Sequence, residues 1–273
     1  MKKALKVCIR CLVPIAIHFV LSEVILYVAY LWFSMRGEDA SALFGRYGAE
    51  LTGISGIVVM IPCVFLYQRD VMGRLRDNSI PSAYGQDLVP GELVMLMLMG
   101  ASLALYGNVL MSFVTMVVDP EEYNQSIQML TYGKTIWQLL LWVGFLAPIA
   151  EEMVFRWLVF LRLRDHMAFP AAAVISGLLF GLYHGNLVQA IYAGVLGAFF
   201  AFLTEYSGNI WSGVFAHIGA NFFSLLYGEY GEMLSENHME SVMGGIFLVL
   251  FLALVGGIVY FGRRGRERQC RAV

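Results

Sequence analysis

Long apolar runs separated by short polar segments dominate this chain. A run of about 20 residues is long enough to cross the hydrocarbon core of a bilayer as a helix. The pattern therefore predicts an all-α fold, a polytopic membrane helical bundle of about eight transmembrane helices. The predicted spans are Leu12–Phe33, Leu51–Tyr67, Glu92–Val117, Lys134–Leu163, Phe169–His184, Leu187–Glu205, Ile210–Tyr227 and Val242–Phe261.

The composition supports a membrane protein and leaves little sequence for a soluble domain. The 273 residues are 59% hydrophobic and 14% charged, whereas soluble domains average about 45–50% apolar and about 25% charged residues. We predict a single transmembrane domain over residues 1–273, with a motif-bearing core at about 134–227. The first run is too long for the apolar part of a signal peptide, so it is interpreted as an uncleaved anchor.

Basic residues are distributed unevenly between the two sides of this predicted bundle. An even number of spans places both termini on one side, where most of the lysines and arginines collect. These are Lys2, Lys3, Lys6, Arg10, Arg69, Arg74, Arg76, Arg162, Arg164, Arg263, Arg264, Arg266, Arg268 and Arg271. The positive-inside rule then predicts that both termini are cytoplasmic. The basic tail is interpreted as a topological signal, and no nucleic-acid partner is predicted.

Helix packing can also be anticipated in the second half of the chain. Pro148 lies inside the fourth span, where it should kink the helix and free backbone groups. Small residues recur at every fourth position in the next two spans, which lets membrane helices approach closely. These residues are Gly177, Gly181, Gly185, Ala193, Gly197 and Ala201.

Polar residues interrupt three of the apolar spans in a repeated pattern. Such residues in a bilayer-length helix cost a few kcal/mol each on insertion scales, so they usually face a protein interior and serve a function. Residues four apart share one face of a helix. The pairs are Glu152 with Arg156, Phe180 with His184, and His217 with Asn221. Three helices could therefore direct these side chains, together with Glu151, towards one site.

The residue types in this site suggest hydrolysis by activated water. No serine lies in a Gly-x-Ser-x-Gly setting and no cysteine lies near the motifs. A buried glutamate is a competent general base, and Glu152 precedes Arg156 in the favourable orientation for an ion pair. We therefore interpret Glu151 as the base, working with His184. His217 and Asn221 could donate hydrogen bonds to the developing oxyanion.

The motifs Glu-Glu-x-x-x-Arg, Phe-x-x-x-His and His-x-x-x-Asn occur here in that order, over about Leu140 to Leu226. This arrangement resembles the CAAX protease and bacteriocin-processing (CPBP, or Abi) family, although Trp157 replaces the glycine that usually follows the arginine. The resemblance implies an intramembrane endopeptidase with its site inside a helical bundle. It implies catalytic roles for Glu151, His184, His217 and Asn221, and a substrate that is a peptide or protein presented at the membrane.

Two mechanisms are compatible with these residues. Two imidazoles and a carboxylate could bind zinc, with Glu151, His184 and His217 as its ligands. However, the chain has no His-Glu-x-x-His motif to hold a metal on one helix. We favour a metal-free, glutamate-type mechanism with no cofactor, and keep the zinc metalloprotease as the alternative.

The sequence also allows functions other than peptide hydrolysis. The alternative function is a non-catalytic membrane regulator or bacteriocin-immunity protein of the same fold. A transporter is disfavoured because polar residues concentrate in one half of the chain, not in matching positions of two halves.

His18 and Glu23 are interpreted as packing residues, with a supporting role at the site as the alternative. His166 and His238 are placed in solvated loops.

Overall fold

The computed structural model describes residues 2–37, 39–76, 84–236 and 240–271. These residues form nine helices and no strand. The helices are α1 (Lys2–Met35), α2 (Ala40–Arg76), α3 (Pro90–Val114), α4 (Glu121–Thr131), α5 (Ile136–Arg164), α6 (Phe169–Tyr183), α7 (Leu187–Ser207), α8 (Trp211–Glu236) and α9 (Glu240–Arg271). His238 lies outside the described residues.

The helical bundle predicted from the sequence is confirmed. Within the described ranges, six helices are long and apolar enough to cross a membrane, namely α1, α2, α3, α5, α7 and α9. The other two predicted spans are also helical. However, α6 has only 15 residues, and α8 carries His217 and Asn221, which lower its hydropathy. The short α4 was not predicted, because its polar sequence has no membrane-length run.

Helix α5 carries the first motif between two π-helical segments. The π-helical turns cover Leu140–Leu146 and Met153–Phe160, and an α-helical segment, Ala147–Glu152, separates them. In a π-helical turn each N–H bonds to the carbonyl five residues earlier. Pro148 has no N–H, so the carbonyl of Val143 is left free for another partner. Pro148 thus changes the local hydrogen bonding of this helix, as predicted.

The second π-helical segment lies at the centre of the bundle. All residues of Met153–Phe160 are buried, and this segment packs against α1, α2, α6 and α7. Helices α6 and α7 approach closely at glycines, because a Cβ on Gly177 or Gly181 would lie 2.6 or 2.1 Å from a backbone oxygen of α7. The predicted small-residue contact is therefore present at these two positions. Gly185 instead has a positive φ of 80° and forms the turn after α6.

Ion pairs join the helices at the end of the bundle that the sequence predicts to be cytoplasmic. Asp70 of α2 contacts Arg10 of α1 and Arg162 of α5, and Arg74 contacts Asp165 at 3.0 Å. Arg162 is one of the basic residues that the sequence assigns to this side of the bundle. Its side chain is 2% exposed, because the helix continues to Arg164 and directs the guanidinium into the interior.

A second polar contact at this end involves the segment before α3. The Tyr84 hydroxyl donates a hydrogen bond to Oε2 of Glu205 at 2.6 Å, and Arg164 pairs with the same carboxylate at 2.8 Å. Burial and the neighbouring Glu205 carboxylate raise the pKa of Tyr84 above its ordinary value. Tyr84 therefore remains a neutral donor, and it ties the segment before α3 to α7.

Replacement of Asp70 by asparagine should destabilise the bundle, because Arg162 would remain buried without a counter-charge. Removal of one partner of a buried ion pair typically costs about 3–5 kcal/mol. We expect a clearly lower melting temperature for the Asp70→Asn protein in detergent. The control is Glu122→Gln, which neutralises an exposed carboxylate on α4. Equal melting temperatures for the two variants would contradict a structural role for this pair.

Candidate active site

The three motifs converge on the ring of Phe180. This ring is 2% exposed, and its centroid lies 4.8 Å from that of His184 and 5.6 Å from that of His217. The guanidinium carbon of Arg156 lies 4.5 Å from the same centroid. Helices α5, α6 and α8 therefore bring one member of each motif against a single aromatic side chain.

Glu152 and Arg156 form an ion pair that is completely enclosed. Both side chains are 0% exposed, and Nε of Arg156 lies 3.2 Å from Oε2 of Glu152. The contact does not have the geometry of a hydrogen bond, and no nitrogen of the guanidinium finds a hydrogen-bond acceptor among the described residues. The rings of Phe180 and Phe200 lie against the guanidinium instead, at 4.5 and 5.4 Å. Cation–π attraction therefore compensates part of the cost of burying the charge.

His217 links this ion pair to the second glutamate. Its Nδ1 lies 3.0 Å from Oε1 of Glu152, and its ring stacks on Phe200 with centroids 5.0 Å apart. A carboxylate paired with arginine is an acceptor, so Nδ1–H of His217 donates to Glu152. Nε2 then faces Oε2 of Glu151 at 3.7 Å. That distance exceeds a hydrogen bond, so the two groups face one another without bonding directly.

His184 is oriented by the end of its own helix. It forms the C-cap of α6, and its Nδ1 lies 2.9 Å from the carbonyl oxygen of Phe180. A carbonyl can only accept, so Nδ1 carries the proton, and Nε2 of the neutral ring keeps a free lone pair. The predicted span ended at His184, whereas the helix ends at Tyr183 and Gly185 makes the turn that follows.

Glu151 is the more accessible of the two glutamates. Its side chain is 18% exposed, compared with 0% for Glu152. The carboxylate interacts electrostatically with His18 of α1 and with His184. Glu151 thus interacts with imidazoles and forms no ion pair with an arginine among the described residues, whereas Glu152 is held between Arg156 and His217. Adjacent residues of one helix therefore have different surroundings.

Asn221 is held by the carbonyl that Pro148 leaves free. Its Nδ2 donates to the Val143 oxygen at 3.0 Å, so α8 is joined to the first π-helical segment of α5. One N–H of the amide is used in this contact and the second remains available. Asn221, which was predicted as a site residue, therefore also has a structural contact that the sequence did not predict.

Two glycines that lie outside the three motifs make room for the charged groups. A Cβ on Gly213 of α8 would lie 2.5 Å from Oε2 of Glu152, and a Cβ on Gly197 of α7 would lie 2.7 Å from Arg156. Gly197 was noted only as a packing residue. No local pattern marks Gly213, because its importance arises from the distance between α8 and α5.

The zinc alternative requires three side chains around one ion. Within the described ranges, no group of three or more His, Cys, Asp or Glu side chains is placed to hold a metal ion. Glu151, His184 and His217, as they are positioned here, therefore do not fit a zinc centre. The metal-free mechanism and the zinc mechanism both remain predictions.

Comparison with known proteins bears directly on this arrangement. Residues 133–223 match the family described as type II CAAX prenyl endopeptidase Rce1-like. This range contains all three motifs. This segment of the chain is similar to the CPBP family. A curated relative, "Putative membrane peptidase YdiL" of Bacillus subtilis (strain 168), is 34% identical over 106 residues, which cover 37% of this chain. No solved structure matches.

These similarities cover only part of the chain. The match spans 43% of the length of the Bacillus relative, and the family range begins just before α5 and ends within α8. Helices α1 to α4 and α9 therefore lie outside the family match, although α1 packs against the motif-bearing helix α5. The fold around the candidate active site thus includes helices that the family match does not cover.

Substitution of Gly213 by alanine should disturb Glu152. The added Cβ would displace a carboxylate that Arg156 and His217 already hold in place. Overpacking of this kind typically costs about 1–3 kcal/mol, so we expect a lower melting temperature for Gly213→Ala. The control is Gly256→Ala on α9, where a Cβ meets no atom within 4 Å. A Gly213→Ala protein as stable as this control would contradict the close contact with Glu152.

Proposed function

We propose that this chain is an intramembrane endopeptidase that hydrolyses a peptide bond of a membrane-presented peptide or protein. The observation that carries this proposal is the placement of Glu151, half-buried and facing Nε2 of His217, beside His184 in a helical bundle. The family match and the Bacillus peptidase support the same class of reaction. Both are similar to this chain over part of its length only.

In the proposed reaction, Glu151 accepts a proton from a water molecule, and the resulting hydroxide attacks the carbonyl carbon of the scissile bond. Nε2 of His184 accepts a hydrogen bond from this water and orients it. The carbon–nitrogen bond then breaks, and Glu151 returns the proton to the leaving amine. Water and the peptide bond are consumed, and a carboxylic acid and an amine are released.

His217 and Asn221 are assigned to the oxyanion in this proposal. With Nδ1–H donated to Glu152, His217 can donate to an oxyanion only from a protonated Nε2. The imidazolium brings the summed charge of Glu151, Glu152, Arg156 and His217 to zero. Asn221 supplies the N–H that is not bonded to Val143. Two donors at the site of developing charge are the arrangement that acyl-transfer enzymes use.

The substrate must present an extended segment to Glu151, because a helix has no free backbone carbonyl at its centre. The match to a type II CAAX prenyl endopeptidase family makes a prenylated C-terminal peptide one candidate. The leader of a secreted peptide is another. The bilayer delivers either of them to the site, and we propose no nucleic-acid partner.

The Glu151→Gln variant tests the reaction without changing the size of the side chain. General acid–base catalysis contributes roughly 10²- to 10⁴-fold, so we expect cleavage to fall by at least about 100-fold. Uncleaved precursors should accumulate in the membrane proteome of cells that express only this variant. Glu229→Gln, which neutralises an exposed carboxylate on α8, should behave as the wild type.

A Glu151→Gln protein that leaves no precursor and retains the wild-type phenotype would exclude the hydrolytic role. The alternative, a non-catalytic membrane regulator or immunity protein, would then be favoured. Equal melting temperatures for the wild type and Glu151→Gln would show that any lost activity is chemical and not a result of misfolding.

Metal removal tests the type of mechanism separately. Because the three candidate ligands are not placed to share one ion, we expect purified protein to keep its rate within about twofold after dialysis against a strong chelator. The rate is measured on a reporter peptide built from an accumulated precursor. Loss of activity that stoichiometric zinc restores would establish the metalloprotease alternative.

A further inference from the structure

His18 lies beside the proposed active site although its helix, α1, is outside the family match. Its side chain is buried, with 6% exposure. The imidazole stacks on the ring of Tyr183, with centroids 4.7 Å apart and ring planes 17° apart. Tyr183 precedes His184 on α6, and Glu151 interacts electrostatically with both histidines. Helix α1 therefore forms one wall of the site.

The imidazole of His18 is unusual because its polar atoms are not used. Nδ1 is buried without a hydrogen-bond partner, and His18 forms no hydrogen bond with any other described residue. Most buried polar side-chain atoms in folded proteins do have a partner, so an exception requires an explanation. His184 and His217, by contrast, each use Nδ1 in a defined contact.

Packing alone does not account for a histidine at this position. Phenylalanine would stack on Tyr183 equally well and would bury no polar nitrogen. The ring of Tyr183 on α6 stacks on His18, and Glu151 on α5 and His184 on α6 interact with it electrostatically. A polar ring among such groups is suited to a ligand that supplies the missing hydrogen bond.

A cleft lies between α1, α6 and the turn that follows α5. Its volume is about 840 Å³ and its lining is mainly apolar. The lining includes Cys11 and Leu12 on α1, and Ile175 and Leu179 on α6. Leu179 lies one helical turn before Tyr183, and Leu12 lies about 9 Å before His18 along α1 at 1.5 Å per residue. The cleft and the His18–Tyr183 stack therefore follow one another along α1 and α6.

We propose that His18 is a substrate-binding residue whose imidazole hydrogen-bonds the backbone of the extended substrate beside the scissile bond. A neutral imidazole offers one donor and one acceptor, which complements the carbonyl and the N–H of a peptide. This assignment rests on the proposed peptidase function and adds α1 to its site.

The decisive variant is His18→Phe, which keeps the ring against Tyr183 and removes both nitrogens. One neutral hydrogen bond corresponds to roughly a 3- to 10-fold change in affinity. We expect KM for the precursor-derived reporter to rise by about that factor, with kcat within about twofold, since uniform binding is lost. His18→Asn, which restores a polar group near the position of Nδ1, should recover part of the loss.

Two further measurements separate this role from a structural one. The melting temperature of His18→Phe should equal or exceed that of the wild type, because a buried nitrogen without a partner is removed. Tyr27→Phe, at an exposed position on the same helix, should leave KM and kcat unchanged. An unchanged KM in His18→Phe, or a fall in kcat alone, would overturn the assignment.

A failure of the role assigned to His18 can be distinguished from a failure of the proposed peptidase function. If Glu151→Gln cells accumulate no precursor, the peptidase proposal fails, and the role of His18 fails with it. If those cells accumulate a precursor, and the His18→Phe protein cleaves the reporter derived from it with the wild-type KM, only the role of His18 is wrong. Partial accumulation of the same precursor in His18→Phe cells supports both.

Discussion

The structure depends on one buried ion pair, that between Glu152 and Arg156. Two fully enclosed charges in a membrane-spanning bundle are tolerated only when they remain paired and surrounded by compatible groups. Three neighbouring helices contribute to this requirement. Phe180 of α6 and Phe200 of α7 lie against the guanidinium, and His217 of α8 donates to the carboxylate. The pair therefore determines how closely α5, α6, α7 and α8 can approach, and the site is built around it.

The same ion pair gives two adjacent glutamates different surroundings. Glu152 has its charge balanced by Arg156 and is sealed from solvent, whereas Glu151 is partly exposed and faces imidazoles. Chemically identical groups acquire separate roles when their surroundings differ. Both motif histidines use Nδ1 for a fixed acceptor, the Phe180 carbonyl or Glu152. Their Nε2 atoms are thereby available, and in the proposed reaction these atoms act on water and on the oxyanion.

Backbone irregularity has a specific function in this arrangement. The π-helical turns on either side of Ala147–Glu152 and the missing N–H of Pro148 leave a carbonyl that Asn221 binds. The sequence predicted the disturbance at Pro148 but not its partner. It also assigned Arg162 to the basic side of the bundle, but it did not predict that this side chain is buried against Asp70. The positive-inside rule describes where basic residues accumulate along the chain, and it contains no information about which of them the helix ends direct inwards.

The sequence by itself determined the helical membrane class, the approximate spans and the identity of the motif residues. Hydropathy and four-residue spacing are local properties of the chain, and they do not depend on how the helices pack. The tertiary structure alone decided that His217 lies between the two glutamates, that Gly213 and Gly197 leave room for the charges, and that His18 of α1 borders the site. These features depend on distances between helices far apart in the chain, and differences of less than an ångström separate a contact from a clash.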